Sequence, residues 1–352
     1  MNIRKYAFLA KSILKANLGR LSQPYKLTFA LTAKCNYRCQ TCHIWQKRPE
    51  NELSAAEIER LFRKAPDFAW IDLTGGEVFL RKDFLEIVRI ILASCPHLLL
   101  LHFPTNGYLT EIIVSSVRKI AQWKPEKLIL TISMDGDEPT NDRIRGVAGG
   151  WRRQIETFKR LREIPGVHTV LGMTVSALNA GQFEKAFQAA KHEYPPLTTD
   201  DFHVNIAHVS PHYYGNADAD YVSGSETAMA ETVRRYLKAR TFPLNPVSYL
   251  EKQYLKRVGQ YLQTKKTPIR CQALRSSCFL DATGNVYPCS MYDRRLGNIR
   301  EWNYDLPALW NSEASRRLQT EIWNFNCPQC WTPCEAYQSI FGSLLRPSHG
   351  PQ

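Results

Sequence analysis

Short β-rich runs alternate with amphipathic helical windows from residue 25 to residue 206, and this alternation constrains the fold more than any other feature of the sequence. Strands separated by helices indicate repeated βα units and a parallel sheet that is curled or covered on both faces. Functional side chains are then expected at the carboxyl ends of the strands. The predicted strands are 26–31, 69–73, 98–103, 127–132, 168–175 and 202–207, and the helical windows lie near 54–64, 83–93, 111–121, 151–163 and 181–193.

The alternation stops after Pro211. Helical windows near 226–240 and 247–263 come next, and from Arg270 cysteines return around a predicted hairpin turn at 281–285 and a helix near 313–324. A turn of this composition between two short β runs is typical of a small domain with mixed α and β elements. We therefore expect two structural units, with their boundary inside the region 211–268.

The composition places the chain among globular cytoplasmic proteins. It has 352 residues with 44% hydrophobic content, which is enough for a packed core and excludes disorder, collagen and coiled coil. Its apolar runs fall short of the ~18–20 residues that cross a bilayer. Ten cysteines are too few for a disulfide scaffold of this length, and residues 1–21 do not resemble a secretory signal. In a reducing compartment such cysteines more often bind metal.

Three cysteines with the spacing C-x3-C-x2-C follow the first predicted strand directly. They are Cys35, Cys39 and Cys42. Thiolates from one short loop can face a single point, and thiolate ligands select iron–sulfur clusters, zinc or copper(I). Three ligands on a cubane leave one iron free, whereas a structural zinc site needs four. The alternative is a Cys3His zinc site completed by His43.

A Gly-Gly-Glu motif follows the second predicted strand and consists of Gly75, Gly76 and Glu77. Two glycines at the end of a strand permit positive φ angles and a close approach of the backbone to a ligand. A neighbouring carboxylate can accept hydrogen bonds from a cationic amine. The motif alone is equally typical of a tight turn, and it gains weight from lying one βα unit after the cysteines.

The two motifs in this order make the sequence resemble the radical S-adenosylmethionine (radical SAM) superfamily over residues 25–338. The resemblance implies that Cys35, Cys39 and Cys42 bind a [4Fe–4S] cluster, whose fourth iron is chelated by the amino and carboxylate groups of SAM. It also implies that the reduced cluster cleaves SAM to methionine and a 5′-deoxyadenosyl radical, which abstracts a substrate hydrogen. The cofactor supplies this chemistry, and the protein supplies geometry and exclusion of water.

Four further positions are assigned to SAM binding by the same resemblance. The run 132–136, continued by 141–146, looks like the fourth-strand motif of the family. Ser133 is the residue that would contact SAM, and Arg145 would pair with its carboxylate through a two-bonded fork. Asn106 after the third strand and Thr174 on the fifth are expected to line the same pocket.

One position departs from the family pattern. The family usually has an aromatic residue just before the third cysteine, where this chain has Thr41. We therefore expect the face of the adenine to be covered by a neighbour, either Tyr37 or Trp45.

A second set of cysteines occupies the last quarter of the chain. Two separated cysteines, Cys271 and Cys289, flank the predicted turn, and Cys327 and Cys330 form a C-x2-C pair. Such a set makes a four-thiolate site. It resembles the auxiliary-cluster domain of radical SAM enzymes, which is called SPASM in its two-cluster form and twitch in its one-cluster form.

This resemblance implies one auxiliary [4Fe–4S] cluster on those four cysteines. The alternates are Cys278 and Cys334, either of which would replace one ligand. A full SPASM tail has further cysteines after the C-x2-C pair, and six cysteines cannot complete two four-cysteine clusters. A structural zinc ion is the rival occupant of this site.

The N-terminal segment has a character of its own. Apolar residues recur at helical spacing, and five positive charges without an acid lie within the first 21 residues. One interpretation is a helix that covers one end of the main domain. The other is a peripheral membrane contact through residues 1–20.

Together the resemblances imply an α/β fold, with a partial (β/α)6 barrel of the TIM type followed by a small, cysteine-rich α+β domain of the SPASM or twitch type. The expected divisions are a basic N-terminal segment at 1–24, the radical SAM core at 25–212, a helical linker at 213–263, the auxiliary-cluster domain at 264–340 and a tail at 341–352.

The expected activity is abstraction of a substrate hydrogen that leads to an oxidation, cross-link or other modification assisted by the auxiliary cluster. The substrate classes left open are small molecules, lipid-linked molecules and peptides, the last as in maturases of the SPASM type. The expected electron donor is a protein such as flavodoxin or ferredoxin. The alternative from another class is a non-catalytic, zinc-stabilised protein that binds nucleic acid through its net charge of +13, and nucleic acid is not the expected partner.

Overall fold

The structure is a computed structural model that describes residues 2–48, 50–241 and 246–344. Part of the expected tail therefore lies outside the described residues. The strands are β1 (Lys26–Thr32), β2 (Trp70–Gly75), β3 (Leu100–Thr105), β4 (Lys127–Ser133), β5 (Val167–Val175), β6 (Phe202–Ile206), β7 (Ser277–Leu280), β8 (Asn285–Tyr287) and β9 (Gly297–Asn298).

Twelve α-helices connect and cover these strands within the described residues. They are α1 (Ile3–Leu18), α2 (Ala55–Lys64), α3 (Phe84–Ser94), α4 (Thr110–Gln122), α5 (Glu138–Arg145), α6 (Gly150–Arg162), α7 (Phe183–Glu193), α8 (Glu226–Ala239), α9 (Pro246–Thr264), α10 (Leu306–Trp310), α11 (Glu313–Trp323) and α12 (Pro333–Ser343). No helix of the described ranges combines the length and the apolar character that crossing a bilayer requires.

All nine strands form one sheet in the order β6-β5-β4-β3-β2-β1-β7-β8-β9. Strands β1 to β6 pair in parallel with their sequence neighbours, as expected of a partial (β/α)6 barrel. The prediction of this fold is confirmed. The cysteine-rich region joins the same sheet, because β7 pairs in parallel with β1 and then turns back into the antiparallel strands β8 and β9.

The two faces of β1 show how the sheet is covered. Leu27, Phe29 and Leu31 alternate along the strand and pack into the main apolar core with helix residues such as Phe62 of α2. Helix α2 begins at a capping box, in which Ser54 and Glu57 satisfy each other's backbone amides. The residues of β1 that alternate with Leu27, Phe29 and Leu31 lie on the opposite face of the strand, which is the interior of the barrel.

Polar side chains form a row across the interior of the barrel. The row starts at Lys26, the first residue of β1, and the end of the barrel where it lies is called the lower end here. The ammonium group of Lys26, which has no exposed surface, lies 3.2 Å from a carboxylate oxygen of Asp72. His102 Nδ1 lies 3.0 Å from the other oxygen of Asp72, and its Nε2 is 2.9 Å from the Thr131 hydroxyl. These contacts join β1, β2, β3 and β4. Pairing of this kind is what permits buried charges in a protein interior.

Helix α12 lies against this row and covers the lower part of the barrel interior. The Lys26 ammonium also donates to the backbone carbonyl of Cys334 in α12. Tyr337 of α12 stacks on Trp70 of β2, with ring centroids 6.2 Å apart, and meets His203 of β6 edge-on. One helix of the cysteine-rich region thus reaches from β2 to β6 across the interior.

Helix α1 crosses the amino end of the sheet. Phe8 stacks on His97, just before β3, with centroids 4.1 Å apart, and Tyr6 lies under the ammonium of Lys127 at the start of β4. The backbone amide of Asn2 donates to Glu126, the residue that precedes β4. The carboxyl ends of the strands, where the sequence motifs lie, are therefore at the opposite side of the barrel.

Candidate active site

The loop with the first three cysteines is fixed to the end of β2 by the Gly-Gly-Glu motif. The amide of Gly76 donates to the carbonyl of Thr32 at 2.7 Å, and the amide of Glu77 donates to the carbonyl of Lys34 at 2.8 Å. A Cβ atom on Gly76 would overlap the Lys34 carbonyl, lying 2.6 Å from its carbon atom. Gly75 has a φ angle of 133°, which disfavours other residues. The two glycines thus allow the close approach of the two strand ends.

The far side of the cysteine loop is anchored on helix α5. The amides of Arg38 and Gln40 donate to the carbonyls of Arg145 and Ile144, at 3.2 and 2.8 Å. These are the last two residues of α5, whose final carbonyls have no partner inside the helix. The His43 ring, the alternative zinc ligand, contacts the Gln40 carbonyl at 3.2 Å.

The three thiols of this loop are partly enclosed and influence one another. Burial raises the pKa of Cys39 to about 12 and that of Cys42 to about 11, and it also raises the pKa of Cys35. The charges of Cys35 and Cys42 act on Cys39 in the same direction, because like charges at short range disfavour ionisation.

Backbone amides approach six of the seven candidate ligands. In these six cases the amide two residues further on counteracts the rise in pKa that burial causes, an arrangement that stabilises a thiolate and tunes the potential of an iron–sulfur cluster. The cysteines with this feature are Cys35, Cys42, Cys271, Cys289, Cys327 and Cys330. Within the described residues, Cys95, Cys278 and Cys334 show no such amide, and neither does the candidate ligand Cys39. The donor set therefore fits iron–sulfur centres at two places.

Glu77 is placed differently from the expectation. Its side chain has no exposed surface, and its oxygens accept from the hydroxyl of Thr105 at 2.9 Å and from the amide of Asn106 at 2.7 Å. Burial raises its pKa to about 7. Both oxygens of the Glu77 carboxylate are thus bonded inside the protein. The carboxylate holds the loop after β3 in place and affects the site through that loop.

That loop carries Asn106 to the cysteines. The Asn106 amide group donates to the side-chain oxygen of Asn36 at 2.7 Å and lies 3.9 Å from the sulfur of Cys35. The structure thus brings the predicted residue Asn106 beside the first cysteine.

Arg145 lies on the other side of the loop and is paired. Its Nε is 3.0 Å from a carboxylate oxygen of Asp135, and its Nη1 is 4.0 Å from the sulfur of Cys39. Asp135 also accepts a hydrogen bond from the backbone amide of Thr174 at 2.9 Å. Through Asp135, Arg145 of α5 is therefore connected to β5. Ser133 is the partly exposed last residue of β4. Four predicted positions of the SAM site therefore lie at the same end of the sheet as the cysteines.

Asp135 was not among the predicted site residues. The signal was present, because the residue lies two positions after Ser133 at the end of a strand. A carboxylate there that is only 3% exposed has to be paired, and Arg145 is the cation that pairs with it.

The two aromatic candidates for the adenine face differ in accessibility. Tyr37 is buried beneath the loop, where its ring meets Tyr108 edge-on and its hydroxyl accepts from Gln154. Trp45 keeps part of its surface exposed and lies under the guanidinium of Arg38. Of the two, Trp45 is the more accessible, and its indole Nε1 donates to the carbonyl of Cys39 at 3.4 Å.

The second set of cysteines is brought together from three chain segments. The charges of Cys289 and Cys327 act on Cys271, and those of Cys271 and Cys327 act on Cys330. The Cys330 backbone is fixed by Thr267, whose hydroxyl accepts from its amide and donates to its carbonyl, both at 3.1 Å. The four predicted auxiliary ligands are therefore neighbours.

Among the residues that the structure describes, no three His, Cys, Asp or Glu side chains lie close enough together to surround a single ion.

The two alternates lie apart from this set in different ways. Cys278 is in β7, fully buried in the apolar core. Cys334 is in α12, where the Lys26 ammonium, the carboxylate of Asp72 and the hydroxyl of Ser290 act on its thiol. Cys334 therefore faces the barrel interior.

A cavity of about 260 Å³ is lined by residues that follow the first cysteine loop and by residues of the hairpin turn, such as Lys47 and Asp281. Its lining includes Ile44 and Phe279, which belong to a small apolar cluster that also contacts Cys35 and Cys42. On another wall, Nε2 of His212 lies 3.1 Å from the carbonyl of Cys289. The cavity thus lies next to neighbours of the first cysteine loop, and one of its walls contacts the backbone of Cys289.

Comparison with known proteins agrees with this geometry. Residues 29–190 match the model of the radical SAM superfamily, and residues 271–335 match the model of SPASM, an iron–sulfur cluster-binding domain. The chain is 29% identical over 316 residues to the sporulation killing factor maturation protein SkfB of Bacillus subtilis, covering 86% of this chain and 68% of SkfB.

Two further proteins match this chain over a similar share of its length. The chain is 24% identical over 339 residues to an AdoMet-dependent heme synthase of Nitratidesulfovibrio vulgaris, covering 91% of this chain and 87% of that protein. Its fold matches that of Streptococcus suis SuiB bound to the precursor peptide SuiA, with a TM-score of 0.61 at 16% identity, covering 90% of this chain and 70% of SuiB.

The matched regions contain both cysteine sites. A radical SAM domain implies a [4Fe–4S] cluster with SAM, and a SPASM domain implies auxiliary iron–sulfur binding, as the donor sets of this structure also indicate. The interpretation as an enzyme is confirmed. The chain carries a radical SAM domain at residues 29–190 and a C-terminal SPASM domain at residues 271–335.

Proposed function

We propose that this enzyme modifies a peptide by abstracting a hydrogen atom from a residue held in the cavity that Lys47 and Asp281 line. The observation that carries the proposal is the cavity itself, because one wall adjoins Cys42 through Ile44 and another adjoins Cys289 through His212. Similarity to SkfB, a maturation protein, supports a peptide as the substrate.

The residues of the first site have separate tasks in this proposal. Cys35, Cys39 and Cys42 hold the cluster, and Gly76 and Glu77 fix the backbone around it. Reductive cleavage of SAM to methionine and a 5′-deoxyadenosyl radical, which takes a hydrogen atom from the substrate, is the chemistry that this cluster supplies when bound.

SAM binding in this proposal uses the side chains beside the cysteine loop. Ser133 and Thr174 bound the pocket at the ends of β4 and β5, and Asn106 reaches it beside Cys35. Arg145 provides a cation for the carboxylate of SAM, and Asp135 holds its guanidinium in position. Trp45 covers the adenine.

The second site determines the outcome for the substrate. Cys271, Cys289, Cys327 and Cys330 hold an auxiliary centre next to the cavity. Such a centre would supply a one-electron acceptor, so that a substrate that has lost a hydrogen atom would be oxidised by two electrons in total once a second electron leaves to the centre and a proton leaves to water. A cross-link or an unsaturated residue is the expected product.

Two partners complete the proposal. A small electron-transfer protein such as flavodoxin or ferredoxin reduces the first site, and residues 1–20 make a peripheral contact with a membrane. The net charge of +13 supports docking of an acidic electron donor.

A small-molecule substrate is the second candidate, since the chain covers 87% of the heme synthase that it resembles. The deciding experiment uses anaerobically reconstituted enzyme with dithionite and SAM, and measures 5′-deoxyadenosine. Host extract is separated by size into a peptide fraction and a small-molecule fraction. We expect the peptide fraction to stimulate 5′-deoxyadenosine formation and a peptide in it to lose two hydrogen atoms. Stimulation by the small-molecule fraction alone overturns the peptide proposal.

A further inference from the structure

Helix α1 presents an apolar stripe to solvent along its whole length. Ile3, Leu14 and Leu18 are 73%, 46% and 64% exposed, and Ala7 and Ala10 are exposed between them. With about 100° between successive residues, all five lie within an arc of about 80° on one face. Exposed aliphatic residues in a continuous row mark an interaction surface more than isolated ones do.

A row of cations runs beside this stripe. Arg4, Lys11 and Lys15 are exposed and lie on the arc next to the apolar residues. The sequence contains no acidic residue before Glu50, and the acid that reaches this helix from elsewhere, Glu126, binds the backbone amide of Asn2 at its first turn. The surface is thus apolar on one side and positively charged on the other.

The opposite face of α1 is packed against the protein, so the orientation of the stripe is fixed. Ala16 is buried, and its carbonyl accepts from the guanidinium of Arg275 at 3.1 Å. The side-chain oxygen of Asn17 accepts from Gln272. Phe8 stacks on His97. The helix is therefore held as part of the folded protein and does not need to order itself in order to bind.

We propose that α1 docks on the surface of an anionic membrane, with Ile3, Leu14 and Leu18 among the acyl chains and Arg4, Lys11 and Lys15 at the headgroups. The inference deepens the membrane contact of the proposed function and names its lipid class. Lysine and arginine beside a shallow apolar face are attracted by anionic headgroups. A second copy of this chain is disfavoured as the occupant, because its cation row would face the same row across a two-fold axis.

The position of α1 determines how the enzyme would lie on the membrane. Its contacts are with residues that precede the strands, such as His97 before β3 and Lys127 at the start of β4. The cysteine loop and the cavity are at the carboxyl ends of the strands, on the opposite side of the barrel. The open end of the barrel therefore faces water, so the substrate arrives from the aqueous phase and a lipid-linked substrate is disfavoured.

The test is co-sedimentation of the reconstituted enzyme with vesicles of phosphatidylcholine alone and of phosphatidylcholine with an equal part of phosphatidylglycerol. We expect binding to the anionic vesicles only, decreasing as salt is raised. Leu14→Glu and Leu18→Glu should each weaken binding about tenfold, since each puts a charge in place of a buried aliphatic side chain. Equal binding to both vesicle types overturns the assignment of lipid class.

The matched control is Ile112→Glu in α4. Ile112 is 49% exposed, close to the value for Leu14, and the substitution changes the net charge equally. It should bind like the wild type, which separates the stripe from charge alone. Equal losses in L14E and I112E contradict the proposal. Formation of 5′-deoxyadenosine without vesicles should be unchanged in all three variants, so failure of the membrane contact is distinguishable from failure of the proposed chemistry.

Two further measurements test the orientation of the enzyme on the membrane and its self-association. Hydrogen–deuterium exchange with anionic vesicles should slow in residues 3–18 and stay unchanged in residues 35–48 of the cysteine loop. Protection of the cysteine loop overturns the inferred orientation. Sedimentation velocity without vesicles should show a monomer for wild type and L14E, and a wild-type dimer that L14E dissociates identifies a second copy as the occupant instead.

Discussion

Nε of Arg145 lies 3.0 Å from Oδ2 of Asp135, and this buried ion pair stands directly beside Cys39. We predict that Arg145→Lys keeps the charge but loses the planar fork. SAM binding to the reconstituted enzyme, measured by calorimetry, should weaken about tenfold, as expected when one charge-assisted hydrogen bond is lost.

A matched control separates this effect from a general loss of arginine. Arg152 makes a similar contact with Glu138, at 2.8 Å, but its side chain is mostly exposed. Exposed pairs contribute less than about 1 kcal/mol, so Arg152→Lys should leave SAM binding and unfolding by urea unchanged. If R145K and R152K bind SAM with equal affinity, Arg145 does not take part in SAM binding.

We predict that Gly76→Ala disrupts the first cysteine site specifically. The added methyl group would overlap the Lys34 carbonyl in the cysteine loop, and backbone atoms cannot move aside as a flexible side chain can. Iron content should fall from about eight per chain to about four, and 5′-deoxyadenosine formation should stop.

The control for this glycine is Gly259→Ala in helix α9, where a Cβ meets nothing within 4 Å. Alanine is the better helix former by roughly 0.5–1 kcal/mol, so this variant should be as active as wild type and slightly more stable in urea. Retention of all iron by G76A shows that the loop tolerates displacement and contradicts the prediction.

The amide pattern predicts which cysteines of the second set bind iron. Cys330→Ala should lose about four iron per chain and keep the SAM-dependent signal of the first site. Cys278→Ala should keep all iron, because its thiol lies in the apolar core without an amide donor, and should only reduce stability. Iron and sulfide analysis of both variants, purified anaerobically, is the measurement. Loss of iron in C278A together with full retention in C330A reverses the assignment.

Glu57 and Arg300 connect α2 to the segment after β9. Their side chains make two contacts, at 2.6 and 3.2 Å. Hydrogen bonds from Arg300 lower the pKa of Glu57 from 4.5 to about 2. Its contribution to stability should therefore be complete above pH 4.5 and be lost as the pH falls towards 2.

A double-mutant cycle checks this pair. With Glu57→Gln and Arg300→Ala, urea unfolding at neutral pH should give a coupling energy of about 1 kcal/mol. The stability difference between wild type and E57Q should shrink as the solution is acidified. A difference that is constant with pH would mean that the Glu57 charge does not stabilise the fold.

Local patterns in the sequence were sufficient to predict the repeating part of the fold. The predicted strand at 26–31 is found as Lys26–Thr32, and the capping box of Ser54 and Glu57 begins α2 as expected. These features depend on residues close to one another in the chain. The hairpin turn at 281–285 is present for the same reason, and it lies between β7 and β8.

Features that depend on distant residues could not be predicted. Nothing local to Ser277 shows that β7 pairs with β1, since its partner is Lys26. The fully bonded state of Glu77 depends on Thr105 and Asn106, which come from the next βα unit. Helix α12 was missed although Pro333 in its first turn is a known start signal, because a short helix gives weak periodicity.

The pairing of β7 with β1 has a consequence for electron flow. One strand leads into the loop of Cys35, and the other leads through its hairpin to Cys289. Backbone hydrogen bonds within a single sheet therefore fix the relative positions of the strands that lead to the two cysteine sites, which a flexible interface between separate domains would leave variable. Any electron transfer between centres bound at these two sites would therefore take place across one continuous β-sheet.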